Sequence, residues 1–385
     1  MKILLYRWKA YNQFDIIRNL EKRGHVVEDI MGEMSNFEVD DAFASRFEDR
    51  MDIGNFDLVM SVNYFPIISD ICQRKNIRYV SWCCDSPIST MHHESVFNSV
   101  NKIFTFDKFD QMIFEEMGAS VYYLPLCVDT DRVSQIIAND NSGKFYADLS
   151  FVGSMYNKNS YDNLYEHFPE YMKGYFDAVI KLQTEVHERY LLDDALDADM
   201  LEELSKYFVL DKTDRSFSDL DLIFSTTVLS YKIANVERRK LLTRLSLLCD
   251  VNVYTDDEDA DFVKAHNCGT ADYWSEAPLI FNRSKINLNL TLRSIRSGIP
   301  LRVWDILGAG GFCITNYQPE LPLYFEDGVN IVWFKNTAEL IEKIKYYLSH
   351  EEERRAIAKR GQELVTQYHD YSGRFDCMAE IVDGL

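Results

Sequence analysis

The feature that most constrains the fold is an alternation of short apolar runs with segments of helical periodicity. The apolar runs predict strands at residues 2–6, 25–28, 58–62, 79–83, 102–106 and 121–126. The intervening periodicity predicts helices at residues 13–22, about 65–74 and about 108–117. This alternation is typical of a parallel sheet covered by helices. We therefore predict a doubly wound α/β domain at residues 1–130.

The same alternation returns in the second half of the chain. Apolar runs predict strands at residues 149–153, 251–254, 286–290, 312–315 and 330–333, and periodicity predicts helices at about 302–308, 337–348 and beyond 351. A polar stretch at 131–147 is the expected linker, and 148–370 the expected second domain. Within it, the acidic helical segment at about 160–248 reads as an insertion, and 371–385 as a helix that can return to the first domain. The predicted fold is two tandem Rossmann-like domains.

Charge and composition exclude several classes of protein. Acidic residues outnumber basic ones by 62 to 41, a net charge of −21, which repels nucleic acid and anionic lipid surfaces. No apolar run reaches the length of about 18 residues that a transmembrane helix needs, and the N-terminal apolar run is too short for a signal peptide. The eight cysteines lack metal-site spacing and are expected to be reduced. We predict a cytoplasmic protein, which a lipid-linked partner could still bring to a membrane.

The densest cluster of candidate binding residues lies between 284 and 311. A strand carrying Asn289 leads through Arg293 and a glycine-containing loop into a short helix that carries Arg302 and Asp305. The helix N-terminus and Arg302 suit a diphosphate, and the Asp305 carboxylate suits ribose hydroxyls. An i,i+3 ion pair between Arg302 and Asp305 is the structural alternative.

Two smaller features point to the same kind of site. Gly153 and Ser154 end the predicted strand at 149–153, where exposed amides can bind phosphate, although a tight turn explains the glycine equally well. Ligands of doubly wound folds bind at the carboxyl ends of the strands. The cleft between the two predicted domains is therefore the expected site.

Several sequence motifs together resemble one family. The segment from about 281 to the C-terminus, Phe-Val-Gly-Ser-Met-Tyr at 151–156, and Cys-Asp-Ser-Pro at 84–87 resemble glycosyltransferases of the CgeB-like, spore-maturation-protein-type group. The resemblance implies the GT-B fold and transfer of a sugar from a UDP-, GDP- or dTDP-linked donor. It implies a glycan, lipid-linked or protein acceptor, as in bacterial glycan or protein glycosylation.

The resemblance also implies roles for individual residues. Asp305 takes the place of the second glutamate of a Glu-x7-Glu motif, which contacts the ribose, whereas Ser297 stands where the first acid is expected. By position, Gly153 and Ser154 would face the diphosphate, and residues 269–273, ending in Tyr273, would lie near the base. Ser297 leaves the contacts to the transferred sugar unassigned.

The predicted first domain supplies candidates for the acceptor side. Asp85 follows a predicted strand, where it serves either as general base for an acceptor hydroxyl or as a cap before Ser86-Pro87. His93 is a weaker catalytic candidate, since a solvated helix face accounts for it as well. Arg7, Trp8 and Tyr11 follow the first strand, so topology places them near an acceptor.

Two Asp-x-Asp pairs, 129–131 and 219–221, have the spacing of a metal-binding motif, but chance matches are expected in so acidic a chain. We predict that no metal or other cofactor is required. The leading hypothesis is a metal-independent glycosyltransferase. A sugar-nucleotide epimerase or hydrolase on the same fold, or a non-catalytic nucleotide-sugar-binding or scaffold protein, are the alternatives.

Overall fold

The computed structural model describes residues 1–186, 189–258 and 262–385. Its first half contains a parallel sheet in the order β2-β1-β3-β4-β5-β6. The strands are β1 Lys2–Arg7, β2 Val26–Met31, β3 Leu58–Val62, β4 Arg78–Trp82, β5 Asn101–Thr105 and β6 Val121–Tyr123. The helices around it are α1 Gln13–Lys22, α2 Asp41–Gly54, α3 Pro66–Lys75 and α4 Lys108–Glu116. All five residues of β3 are buried, as expected for a strand covered on both faces.

The second half contains another parallel sheet, in the order β12-β11-β10-β7-β8-β9. Its strands are β7 Leu149–Val152, β8 Val251–Tyr254, β9 His266–Asn267, β10 Ile286–Asn289, β11 Cys313–Asn316 and β12 Val332–Phe334. Its helices are α11 Ala277–Arg283, α12 Leu301–Gly308, α13 Leu321–Tyr324, α14 Thr337–Ser349, α15 Glu351–Tyr368 and α16 Tyr371–Ala379. The predicted fold class of two tandem Rossmann-like units is thereby confirmed.

The segment expected as a linker is largely helical. Helix α5 covers Thr130–Asn139 and packs against α11. The polar composition of this stretch hides an apolar pair, Val133 and Ile137, whose i,i+4 spacing places both on one helix face. Asp129 caps the helix by accepting a hydrogen bond from the Arg132 amide at 2.9 Å.

The acidic stretch between β7 and β8 folds into helices with an apolar core of its own. The helices are α6 Ser160–Tyr165, α7 Glu170–Glu185, α8 Ala198–Leu204, α9 Leu220–Ile223 and α10 Ser230–Ser246. Phe176, Leu204 and Phe224 are fully buried within it. Residues 224–229 form a wider, π-type turn that joins α9 to α10. We call residues 160–248 the insertion.

Helix α16 packs against the first sheet unit, and its Arg374 also lies 5.8 Å from the Trp304 ring centroid of the second. The rings of Tyr371 and Phe375 contact Trp82 at 5.8 and 6.3 Å between centroids. Arg374 donates hydrogen bonds to the carbonyl oxygens of Pro125 and Leu126. Among the residues described, no helix is both long enough and apolar enough to cross a membrane.

A buried ion pair joins α1 to α5. Arg132 donates two hydrogen bonds to the Asp15 carboxylate, at 2.7 and 3.0 Å, and both side chains are almost fully buried. Removing one member of such a pair leaves a buried charge without compensation, at a cost of roughly 3–5 kcal/mol.

We therefore expect Asp15→Ala to lower the free energy of unfolding by about 3 kcal/mol or more, measured by urea denaturation. Asp131→Ala is the matched control, because Asp131 forms an exposed ion pair with Lys22. The control should change stability by about 1 kcal/mol or less. Equal effects of the two substitutions would contradict this assignment.

Candidate functional site

The centre of the candidate site is a buried carboxylate in α12. Asp305 accepts a hydrogen bond from the Tyr273 hydroxyl at 2.9 Å, and Arg302 lies 3.5 Å from its other oxygen. Burial raises the pKa of Asp305, an effect opposed by Arg302 and by the Tyr273 hydrogen bond. The i,i+3 pair considered from the sequence is thus present, but at long distance. The buried carboxylate is held by two groups and lies one turn inside the helix.

The residues around this carboxylate line a cavity of about 120 Å³ at the carboxyl ends of the second sheet's strands, which we call the donor cavity. Its lining includes Tyr11, Gly153, Ser154, Thr270, Tyr273 and Arg302. Tyr11 comes from the first unit, and its ring lies 5.4 Å from that of Tyr273. The structure therefore brings together most of the donor-side residues singled out from the sequence, including part of segment 269–273.

A second guanidinium group lies beneath the donor cavity. Arg238 is buried in α10 and donates hydrogen bonds to the carbonyl oxygens of Ser154 at 2.5 Å and Leu290 at 2.6 Å. Burial lowers the pKa of Arg238, and the nearby positive charge of Arg302 lowers it further. Two neighbouring cations beside the Gly153–Ser154 turn favour an anion there. Arg238 could not be predicted from the sequence, because the segment Glu-Arg-Arg-Lys at 237–240 is typical of a solvent-exposed helix face.

Two candidates for donor binding lie outside the donor cavity. Asn289 is buried in the sheet, where its amide donates hydrogen bonds to the hydroxyls of Thr291 and Thr315. Arg293 forms a buried ion pair with Glu237 and lines a different cavity, next to the insertion. Neither side chain lines the donor cavity, and their roles in donor binding stay predictions.

Asp85 lies in the cleft between the two units. It follows β4 and lines a cavity of about 340 Å³, which we call the Asp85 cavity, together with Trp8 of the first unit and Tyr156 and Tyr231 of the second. Asn63 donates a hydrogen bond to its carboxylate at 2.7 Å. Asp85 is exposed to the open space of the cleft. Desolvation by the cleft walls raises the pKa of its carboxyl group, an effect that the Asn63 hydrogen bond opposes. A raised pKa suits a general base.

The other three acceptor-side candidates lie in three different places. Trp8 lines the Asp85 cavity and donates its indole hydrogen bond to the carbonyl oxygen of Val62 at 2.7 Å. Tyr11 is 64% exposed and faces the donor cavity. Arg7 lines neither cavity: it pairs with Asp29 of β2 and stacks on the Phe14 ring. Its side chain is thus engaged within the first unit, and its predicted contact with an acceptor stays a prediction.

His93 is not a cleft residue. Its side chain is buried, its Nδ1 lies 3.1 Å from the Ser95 amide, and its backbone pairs with Ser216 of the insertion. Burial lowers the pKa of His93. The side chain therefore caps a short turn, and the catalytic hypothesis for it is dropped. The neighbouring His92 is the one that borders a cavity.

Ser297 takes part in a contact between the two units. Its hydroxyl lies 2.5 Å from an Asp107 oxygen and 2.7 Å from a Glu320 oxygen. Burial raises the pKa of Glu320, which also accepts hydrogen bonds from the Lys108 amide and the Tyr123 hydroxyl. Ser297, which stands where the family motif has its first acid, is thus contacted by the carboxylates of Asp107 and Glu320, which are distant in the sequence.

The first aspartate of each Asp-x-Asp pair caps a helix. Asp129 caps α5, and Asp219 caps α9 by accepting a hydrogen bond from the Leu222 amide at 2.8 Å. Across residues 1–186, 189–258 and 262–385, no group of three or more histidine, cysteine or carboxylate side chains could hold a metal ion.

Comparison with known proteins identifies the fold. Residues 237–381 match the family model described as Glycosyl transferase-like. HepE from Anabaena, solved with UDP and glucose, is 11% identical over the whole of both chains, with a TM-score of 0.55. Sucrose-phosphate synthase from Thermosynechococcus elongatus is 10% identical, with a TM-score of 0.55 over 99% of this chain and 98% of that one.

WaaG, a glycosyltransferase involved in lipopolysaccharide biosynthesis, is 11% identical over the whole of both chains, with a TM-score of 0.53. At such low identities the similarity establishes the fold, which is the two-domain, Rossmann-like GT-B fold. No curated protein sequence matches the chain.

The Tyr273–Asp305 hydrogen bond can be tested without a ligand. We expect Tyr273→Phe to lower the free energy of unfolding by about 1.5–3 kcal/mol, because a buried charged acceptor loses its hydroxyl donor. Tyr11→Phe removes an equivalent hydroxyl from an exposed ring in the same cavity and should change stability by about 0.5 kcal/mol or less. Urea denaturation measures the free energy of unfolding of both variants. An unchanged value for Tyr273→Phe would show that the Tyr273–Asp305 hydrogen bond contributes nothing to stability.

Proposed function

We propose that this protein is a glycosyltransferase that transfers a sugar from a nucleoside-diphosphate donor to an acceptor hydroxyl in the cleft between its two units. The observation that carries the proposal is the buried Asp305 carboxylate, which is held by Tyr273 and Arg302, two residues that line the donor cavity. A buried carboxylate without full charge compensation needs a hydrogen-bonding partner. The two hydroxyls of a ribose supply such donors.

The diphosphate of the donor would lie against the Gly153–Ser154 turn and the first turn of α12. Arg302 lines this cavity, and Arg238 lies just below it. Positive groups at this place stabilise the negative charge that develops on the leaving diphosphate. The UDP bound in the HepE structure supports a uridine donor among the UDP, GDP and dTDP candidates. In our proposal these groups replace a metal ion.

The acceptor would be deprotonated by Asp85. As the bond between the anomeric carbon and the diphosphate oxygen breaks, its electron pair leaves with the nucleoside diphosphate. The acceptor oxygen forms the new bond to the anomeric carbon, and its proton passes to the Asp85 carboxylate. The support for this role is the position of Asp85 in the cleft and its raised pKa.

The finer assignments made from the sequence remain part of the proposal. We place the protein in the CgeB-like group, with a hexosyl or related donor sugar. All eight cysteines are free, which supports a reducing, cytoplasmic compartment.

The Asp85 role predicts a separation of binding from turnover. We expect Asp85→Asn to reduce transfer by about 10²- to 10⁴-fold while leaving UDP affinity unchanged. Since Asp85 must be deprotonated and its pKa is raised, the wild-type rate should fall on acidification at a higher pH than for an ordinary aspartate. Asp49→Asn, an exposed carboxylate on α2, is the control.

The assay follows UDP release and glycosylated product by mass spectrometry, with a chelator present, for UDP-glucose and a panel of sugar acceptors. Product that depends on acceptor is the expected result. Release of UDP without a glycosylated product would indicate a hydrolase, and rearranged donor an epimerase. Full activity of Asp85→Asn would remove it as the base.

A further inference from the structure

The cleft continues beyond Asp85 into a cavity of about 400 Å³ beneath the insertion, which we call the insertion cavity. This volume is within the range of roughly 300–1,000 Å³ that is usual for small-molecule sites. The cavity is bounded by the first unit on one side and by the insertion on the other. Its lining includes Asp110, Phe114, Tyr190, Phe217, Asp221 and Thr226.

The insertion cavity is continuous with the Asp85 cavity. Pro87, Thr226 and Ser294 line both of them. Thr226 belongs to the π-type turn at 224–229, and such turns are frequent at functional sites. A ligand seated in the insertion cavity therefore lies next to the cavity that contains Asp85.

The charges facing the insertion cavity are mainly negative. Asp110, Asp219 and Asp221 line it, and burial is the main cause that raises the pKa of Asp110 and of Asp221. The cation that lines it, Arg296, is bound by both oxygens of Asp193 at 2.9 and 2.6 Å. The cavity therefore disfavours a ligand with a phosphate or carboxylate at this position.

The His92 imidazole has the carbonyls of Ile88 and Ser89 nearby. The Oδ1 atom of Asp221, by contrast, is buried and has no hydrogen-bond partner among the described residues. Such atoms are costly unless a ligand or water satisfies them. The Asp221 side chain as a whole is only partly buried, so its carboxylate can accept hydrogen bonds from a ligand rich in hydroxyl groups.

Aromatic rings form the apolar part of the wall. The His92 ring lies between Phe114 and Phe217, with centroid distances of 5.0 and 5.7 Å. Tyr190 adds another ring from the insertion. Rings present an apolar surface against which the C–H face of a sugar can pack, while carboxylates bind its hydroxyls.

We propose that the insertion cavity binds the acceptor, and that the acceptor is a carbohydrate without a phosphate or carboxylate on the unit bound there. This inference rests on the proposed function, because it assigns the second substrate of the same cleft. The insertion selects for neutral sugar hydroxyls by hydrogen bonding to Asp221 and excludes phosphorylated sugars by charge.

The experiment is saturation-transfer NMR on the full chain with UDP present. The probes are glucose, galactose, mannose and N-acetylglucosamine as neutral sugars, glucose 6-phosphate and mannose 6-phosphate as anions, and glucosamine as a cation. We expect a neutral sugar to bind, and its 6-phosphate to bind about tenfold or more weakly. Asp221→Ala should weaken neutral-sugar binding about fivefold or more.

Asp214→Ala is the matched control, since Asp214 is an exposed carboxylate of the insertion. It should leave sugar binding unchanged, and both variants should bind UDP as the wild type does. No binding of any neutral sugar, binding of the phosphates tighter than that of the neutral sugars or glucosamine, or unchanged sugar binding by Asp221→Ala would overturn the inference. Failure of UDP to bind the wild type would instead count against the proposed function.

Discussion

The buried ion pair between Asp15 and Arg132 connects the two halves of the candidate site. Beyond pairing with Asp15, the Arg132 guanidinium lies 4.3 Å from the Trp274 ring centroid and donates a hydrogen bond to the Trp274 carbonyl oxygen. Tyr273, which precedes Trp274 in the chain, donates a hydrogen bond from its hydroxyl group to Asp305. The position of the buried carboxylate thus depends on a contact that begins in the first unit. Separation of the two units would disturb the donor cavity as well as the cleft.

The distribution of charge explains how so acidic a protein could bind the anionic donor that we propose. Net charge governs long-range attraction, whereas affinity at a site depends on the groups that line it. Around the donor cavity, Arg238 and Arg302 lie close together, and the carboxylates near them are Asp256, which lines the cavity, Asp305, 3.5 Å from Arg302, and Glu237, which acts on Arg238. On the insertion side, carboxylates such as Asp110 and Asp221 predominate. The two ends of the cleft therefore suit ligands of different charge.

The sequence predicted the two sheets because buried parallel strands are nearly continuous apolar runs. It also predicted the grouping of Asp305 with Tyr273 and Gly153, although Tyr273 was placed by the family resemblance. Helices α2 and α5 were missed because polar residues dominate their composition. Helix α11 was missed for a different reason: its apolar run is too short to show a helical period. The position of Arg238 and the insertion cavity could not be predicted, because both depend on how the insertion packs against distant strands. The contacts of His93 and Arg7 could not be predicted for a related reason: local pattern does not show which neighbour a side chain meets.

The central claim is that Asp305 binds the ribose of a nucleoside diphosphate, and calorimetric titration tests it directly. UDP, GDP and dTDP would be titrated into the wild type and Asp305→Ala, with unfolding midpoints recorded to confirm that the variant is folded. The account predicts that one diphosphate binds the wild type and that Asp305→Ala weakens it about 10- to 100-fold, as expected for loss of hydrogen bonds to a charged group. Binding of no diphosphate, or equal affinity of a folded Asp305→Ala, would contradict it.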